Sequence, residues 1–314
     1  MLCSYNGARF IDAQLSSIFG GELPPDELVI CDDHSNDETV AIAEKWRLRY
    51  PNVVRLIRNE ANLGISQNFE QGLILCSGDI VFLCDQDDLW DPSKLRRFLA
   101  EFDRRPRLML LFSDAQLVDS DGAALPHSLF EAHDVTRDEA RQIHGGAAFP
   151  ALLRRNLVTG ATAAFRREIL QGALPLPRQW VHDEWLAAIS AAIGQVDLLP
   201  EKLIDYRQHS HNQIGMRKRT FIEKLRSSLA PRVDFHLQRA RRTEILLERL
   251  RALGPAIASE YLTITEEKLC HHLARARLPK NRMARVAPIA EEALSGRYAR
   301  YSSGIRSIVR DIVG

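Results

Sequence analysis

An α/β fold built on a single, mostly parallel sheet with flanking helices, followed by a C-terminal helical region, is what this sequence predicts. Three observations carry that expectation. Short apolar runs end in carboxylates: residues 28–31 run into Asp32-Asp33, and residues 80–84 into Asp85-Gln86-Asp87-Asp88. Stretches with helical periodicity follow, so strand, acidic turn and helix recur in order. From Thr220 onward the pattern changes to Leu and Arg at helical spacing.

Taken in order, the chain opens on Leu2-Cys3 and the turn signal Tyr5-Asn6-Gly7. These read as the end of a strand whose first half is expected upstream of Met1, the other reading being a naturally short edge strand. Phe10, Ile11, Leu15 and Ile18 give a helix that Gly20-Gly21 ends. After the strand at 28–31, Ser35 and Glu38 have capping-box spacing for a helix through Ala41, Ile42 and Trp46. Residues 53–57 form a strand, Asn62-Leu63-Gly64 a turn and 65–75 a helix. Beyond the run 80–84, Asp91 is placed as N-cap and Pro92 at the first helical position of a helix reaching Arg104. Residues 108–112 are a further strand, and 119–150, with Gly122, Pro126, Gly145, Gly146 and Pro150, are expected to be loop-rich. Residues 158–165 read as extended small-residue backbone suited to close approach by a ligand. A helix then starts within 180–185, and 196–199 and 203–206 read as two short strands. The helical tail is broken near Pro231, Gly254-Pro255 and Leu278-Pro279. Two domains are expected, 1–215 and 216–314.

With 314 residues, 45% hydrophobic and 26% charged, the chain can bury one large core plus a helical appendage. Its net charge of +1 conceals an asymmetry: residues 1–216 hold 21 Lys and Arg against 31 Asp and Glu, and 217–314 hold 21 against 10. The two parts therefore carry −10 and +11. Cys3, Cys31, Cys76, Cys84 and Cys270 make no C-x-x-C pair and read as small buried hydrophobes in a reducing cytoplasm. The longest apolar stretch, 72–84, is interrupted by Ser77, Gly78 and Asp79, short of the roughly 18 to 20 residues a membrane span needs. The opening residues lack the pattern of a secretory leader, so a cytoplasmic protein is expected.

Three crowded carboxylates, Asp85, Asp87 and Asp88, repel one another, and either solvent screens them or a divalent cation offsets the repulsion. Mg²⁺ or Mn²⁺ would take one or two of them and fill its other positions with water and the phosphate oxygens of a nucleoside diphosphate. Asp33, at another strand end, has the chemistry to accept the imide N–H of a uracil or thymine. The pair Asp183-Glu184 either caps a helix or supplies a general base for an attacking hydroxyl. Arg207 and His209 lie where cations could neutralise a departing diphosphate, and neutral His209 could instead ligate the metal. Trp90 and Trp185 either stack on a sugar or pack in the core, and Thr159 and Gly160 lie in the stretch a ligand could approach.

The ordered set Cys3-Ser4-Tyr5-Asn6-Gly7, Cys31-Asp32-Asp33-His34-Ser35-Asn36-Asp37, Asn59-Glu60-Ala61-Asn62-Leu63-Gly64, Asp85-Gln86-Asp87-Asp88, Thr159-Gly160, His182-Asp183-Glu184-Trp185 and Tyr206-Arg207-Gln208-His209 resembles glycosyltransferase family 2. Within that family it is most similar to bacterial rhamnosyltransferase-like members, over residues 1–215. The resemblance implies a GT-A fold, a divalent metal (Mg²⁺ or Mn²⁺) and an inverting transfer from a dTDP-rhamnose or UDP-sugar type of donor. The acceptor it implies is a hydroxyl of a cell-surface glycan or lipid-linked molecule. It assigns Tyr5 and Asp33 to the nucleoside, Asp85 to the ribose side, Asp87 and Asp88 to the metal, Asp183 to the base, and His209 to a late metal or diphosphate ligand. His34 stands where the family more usually has Gly.

The rival enzyme readings fit less well. A haloacid-dehalogenase phosphatase wants Thr or Val two residues after its second Asp, a receiver domain ends near 120 residues, and a pyrophosphorylase needs a Gly-rich basic loop after its first strand. The non-enzyme rival is a catalytically impaired sugar-nucleotide-binding or scaffold module derived from such a transferase. For the basic tail two readings stand side by side, peripheral contact with an anionic membrane and a solvated helical bundle. Nucleic acid is not an expected partner, because the arginines alternate with Leu and Glu instead of clustering with aromatics.

Overall fold

The computed structural model describes residues 1–208 and 233–313. Strands β1 (Leu2–Ser4), β2 (Leu28–Asp32) and β3 (Val54–Arg58) form a parallel ladder in the order β1-β2-β3. Every residue of β2 is buried, as expected of a parallel strand covered on both faces. The helix Ile11–Phe19 buries Ile11, Leu15 and Ile18, the positions its periodicity marks. Phe19 stacks on Tyr50 at 4.1 Å and on Trp46 at 5.3 Å, tying it to the helix Thr39–Arg49.

The rest of the sheet is mixed. Strands β4 (Ile80–Phe82), β5 (Leu89–Trp90), β6 (Leu108–Val118), β7 (Ala124–Ser128), β8 (Ala163–Arg166) and β9 (Gln195–Arg207) run in the order β4-β8-β6-β9-β5, with β7 on β6. The β6-β9 ladder is parallel, whereas β4-β8, β6-β8, β5-β9 and β6-β7 are antiparallel. The expected parallel character therefore belongs to the first half, because β8 runs against both of its neighbours. A bridge between Leu2 and Cys84, with Cys3 N–H donating to the Cys84 carbonyl at 3.2 Å, joins the two halves. β1 is thus an interior strand, its Leu2 fully buried, and the edge-strand reading fails.

Five further expectations are corrected. The interval 119–150 is largely structured, with β7 and the helices Leu129–Ala132, Arg137–His144 and Ala148–Arg154. Ser128 with Glu131 and Thr136 with Glu139 each form a complete capping box that starts one of these helices. The two short strands after 195 are one strand, β9, whose register against β6 shifts near Ser113 and Asp114. Ser35 caps no helix: its hydroxyl donates to Asp32 Oδ2 at 2.5 Å, and Asp37 Oδ1 instead accepts from the Thr39 N–H at 3.0 Å. Buried Asp32, which also accepts from the Ser4 hydroxyl at 2.9 Å, claims the serine first. Asp91 is not the N-cap, a place Ser93 takes, and Pro92 precedes the helix Lys94–Arg104; the Asp91 carboxylate instead accepts from the Ser93 N–H at 2.9 Å in the turn before it. Cys270 is exposed, unlike buried Cys31 and Cys84, and all five cysteines are free thiols.

The chain divides into two compact units, 1–148 with 157–216 and 149–156 with 217–314. The second contains the helices Val233–Ala252, Ser259–Ala276, Arg282–Leu294, Arg297–Tyr301 and Ile305–Val313. No helix among the described residues is long and apolar enough to cross a membrane. Ser128→Ala and Thr136→Ala should each lower stability by about 1 kcal/mol in urea unfolding, and an unchanged midpoint for both would refute the capping assignments.

Candidate active site

Strand β4 ends just before the acidic turn, and the turn is held from two sides. Asp88 is 2% exposed, and its Oδ1 accepts the Arg207 backbone N–H at 2.9 Å. Arg207 in turn donates through Nε to the Asp87 carbonyl at 2.8 Å and through Nη1 to the carbonyls of Asp119 and Ser120, with its guanidinium over the Phe10 ring. The cation expected beside a diphosphate therefore fastens the end of β9 to the acidic turn and to the β6–β7 turn. From the other side, the Gln86 side chain pairs with the Tyr5 backbone, accepting from its N–H at 2.9 Å and donating to its carbonyl at 3.0 Å. A β-carbon on Gly7 would lie 2.0 Å from Gln86 Oε1, so a side chain there would push the Gln86 amide off its pair with Tyr5.

Beneath the turn lies a residue the motifs did not mark. Lys94 is fully buried at the start of its helix, its Nζ donating to the Ala161 carbonyl at 2.8 Å and sitting 4.2 Å from the centre of the Trp90 ring. Burial lowers its pKa to about 8, while Cys84, Asp88 and Asp85 pull it the other way. Asp85 is pushed up to about 7 by burial and then by Asp87 and Asp183, with Lys94 opposing. Asp88 is raised for the same reasons, burial first and then Asp87 and Asp85. Buried Tyr206 is also raised, by burial and then by Asp88, Asp85, Asp87 and Asp183, so its phenol lies in the field of all four carboxylates.

The fourth carboxylate, Asp183, enters from the first turn of the helix His182–Ile193. Its Oδ2 accepts the Gly160 N–H at 2.9 Å and its Oδ1 the Glu184 N–H at 2.6 Å. Burial outweighs these bonds and lifts its pKa to about 6. Gly160 and Ala161 are adjacent, so consecutive residues hold Asp183 by an N–H and Lys94 by a carbonyl. A side chain on Gly160 would press on His182 and Asp183, which accounts for the small residue. His182 stacks on Phe69 at 3.7 Å, and burial lowers its pKa to about 3, so it is neutral.

On the other side of β1, the Asp33 carboxylate accepts from Asn59 Nδ2 at 2.9 Å and from the backbone N–H groups of Leu63 at 2.7 Å and Gly64 at 2.9 Å. Two carboxylate oxygens offer about four acceptor positions, so the clamp leaves Asp33 room for about one more donor. Gly64 has φ +82, a conformation that strains any side chain. His34 likewise has φ +67, which explains why glycine suits its position. Tyr5 is 41% exposed.

Residues 1–171 match the profile of Glycosyl transferase family 2. The chain belongs to that family. An uncharacterized protein of Mycobacterium tuberculosis is 30% identical over 213 residues, which are 66% of this chain and 58% of that protein. The match thus spans little more than half of that relative's length. The dTDP-rhamnosyl transferase RfbG of Shigella flexneri is 24% identical over 227 residues, covering 68% of this chain and 73% of RfbG. Among solved structures, S. aureus TarS 1–349 in complex with UDP-GlcNAc is similar with TM-score 0.58 and 16% identity over 99% of this chain and 80% of that one. The mannosyltransferase PcManGT from Pyrobaculum calidifontis, in complex with GDP-Man and Mn²⁺, gives 0.51 and 18% over 99% and 84%. The likeness to these structures is one of fold, and the fold of this family 2 chain is GT-A.

Within the family 2 fold, Asp85, Asp87, Asp88 and Asp183 converge electrostatically, while Tyr5 and Asp33 stand at the neighbouring strand ends. Trp90 and Trp185 are 8% and 0% exposed, and Trp185 donates to the Ala173 carbonyl at 2.8 Å, so of their two readings core packing holds. Thr159 and Glu184 are half-buried beside Gly160 and Asp183. His209 lies outside the described residues. Among the described residues no group of three or more His, Cys, Asp and Glu is arranged to hold a metal ion. A two-carboxylate site completed by phosphate oxygens and water has fewer protein ligands than that, and the set here fits it. Its donors are hard oxygens, and buried Asp88 Oδ2 has no hydrogen-bond partner. Lys94→Met should lose about 3 kcal/mol of stability, because Asp85 and Asp88 would keep their burial without the cation. Unfolding at pH 8 checks this, and a variant as stable as the parent would refute the counter-charge role.

Proposed function

We propose that this chain transfers a sugar from a nucleoside diphosphate donor to an acceptor hydroxyl with inversion, using Mg²⁺ or Mn²⁺. The observation that carries the reading is Asp183: a buried carboxylate fixed by the Gly160 and Glu184 N–H groups, with its pKa at about 6, in the field of the acidic turn. A base with that pKa is ionised at neutral pH and still accepts a proton as an acceptor oxygen attacks. The attacking oxygen bonds to the anomeric carbon from the face opposite the diphosphate, the bond to the diphosphate oxygen breaks, and Asp183 keeps the hydroxyl proton.

Asp87 and Asp88 would hold the metal, whose charge would stabilise the departing diphosphate. Arg207 and Lys94 keep the acidic turn in place from above and below. Asp33 would take the imide N–H of the nucleobase through its remaining acceptor position, the exposed ring of Tyr5 would lie against the base, and Asp85 would face the ribose. Thr159 and Glu184 would border the sugar and acceptor.

RfbG and the UDP-GlcNAc-bound TarS support dTDP-rhamnose or a UDP-sugar as the donor class. The acceptor class we assign is a hydroxyl of a cell-surface glycan or a lipid-linked molecule, reached from the cytoplasmic side. Five free thiols fit a reducing compartment.

Asp183→Asn should reduce turnover at least 100-fold (about 3 kcal/mol) while donor affinity by calorimetry stays within about twofold. Near-parental turnover would refute the base assignment. A parent that binds donors yet turns over none of the acceptors tried would favour the sugar-nucleotide-binding module. Because burial raises the Asp183 pKa and the active form is the ionised one, kcat/KM should fall as pH drops through about 6 and level off above about 7. A profile flat from pH 5 to 8 contradicts this. Asp87→Ala should abolish the Mn²⁺-dependent part of UDP or dTDP binding, and unchanged calorimetric titrations would exclude its metal role.

A further inference from the structure

The C-terminal unit buries Leu246, Leu247 and Leu250, yet two of its helices are built with their polarity inverted. Its interior holds an ion network: Arg275 makes a bidentate pair with Asp311 at 2.6 and 2.9 Å, and the Tyr298 hydroxyl donates to the same carboxylate at 2.7 Å. His271 pairs with Glu292 at 2.6 Å, and Arg297 joins that carboxylate through two N–H groups. In the helix Ile305–Val313, the buried residues are Ser307 and Asp311. On a 3.6-residue repeat, Ile305, Ile308, Val309, Ile312 and Val313 share the other side. Ile305 is 76% exposed, Val309 54%, Ile312 38% and Val313 43%.

The neighbouring helix Arg282–Leu294 repeats the inversion. It buries Ile289 and Glu292 while Met283, Val286 and Leu294, together with Ala287 and Ala290, form an exposed stripe. An amphipathic helix normally buries its apolar stripe, so two contacting helices that both turn theirs outward mark a surface with an occupant.

We propose that these two apolar faces rest on an anionic lipid surface. Charge selects that occupant. Arg306 and Arg310 flank the apolar side of Ile305–Val313, Arg282 begins the neighbouring helix, and residues 217–314 carry +11. Apolar side chains bordered by arginines match an interface of acyl chains and acidic headgroups. A second copy of the chain in a two-fold contact would bring the same arginines against each other. Nine residues also span only about 13.5 Å, too short for a stable helical zipper.

The test is sedimentation of the full-length protein with phosphatidylcholine vesicles containing phosphatidylserine, against phosphatidylcholine alone. Binding should require the acidic lipid and weaken with added salt. The double variants Ile305→Ser with Val309→Ser, and Arg306→Glu with Arg310→Glu, should each reduce it about tenfold. All four side chains lie outside the buried network, so thermal unfolding and nucleotide binding should remain parental; these readings separate the lipid surface from the donor site. Failure to sediment with acidic vesicles, equal binding to neutral ones, or indifference to both double variants would overturn the proposal. So would light scattering that shows a lipid-free dimer which Val309→Ser dissociates.

Discussion

Carboxylates crowded at the end of a strand set the terms for the first unit. Two like charges about 4 Å apart repel by about 4 kcal/mol at an effective dielectric constant near 20, a large fraction of the roughly 5–15 kcal/mol that holds a domain together. The protein meets this cost with one buried cation, Lys94, which faces Asp85 and Asp88 and is anchored to the Ala161 carbonyl. That anchor belongs to the same pair of residues whose N–H holds Asp183. The acidic turn and the proposed base are therefore positioned by one short piece of backbone, which couples their spacing to the start of β8. Burial first, and the neighbouring carboxylates second, raise Asp85 and Asp88 in spite of that lysine, so a divalent cation bound there would favour their ionised forms.

Much of this arrangement was legible in the residues alone. Asp33, Asp85 and Asp183 sit at short, regular offsets from apolar runs, and offsets of that kind survive translation into strand ends and helix starts. Lys94 was not legible, since it lies between Ser93 and Arg96 in a stretch that reads as a solvated helix start, and its partner is 67 positions away. Arg207 was visible as a cation, but its engagement by carbonyls of two other turns depends on tertiary placement. The misreading of 119–150 had a local cause: Gly and Pro content masked two capping boxes that were present in the sequence. At Ser35 the error ran the other way, because a correct capping spacing lost its serine to buried Asp32. β9 looked like two strands because Pro200 interrupts the run, yet the strand passes through it near the shift in register against β6.

The two units reach stability by different routes. The first rests mainly on an apolar core, whereas the second adds buried arginine, histidine and carboxylates to a smaller set of buried aliphatics and leaves the aliphatic stripes of two helices outside. Buried ion pairs contribute little net stability but are costly to break singly. Such an interior specifies which helix faces meet more than it strengthens the fold.

The clamp on Asp33 has an evolutionary consequence. Two of its three donors are backbone N–H groups, at Leu63 and Gly64, and the third is the amide of Asn59. The side chains of Glu60, Ala61 and Leu63 are exposed and take no part in it. Drift at those three positions can reshape the rim around the proposed nucleobase site while the carboxylate keeps its place. The selectivity of this edge is free to diverge among relatives without any change in the machinery that holds it.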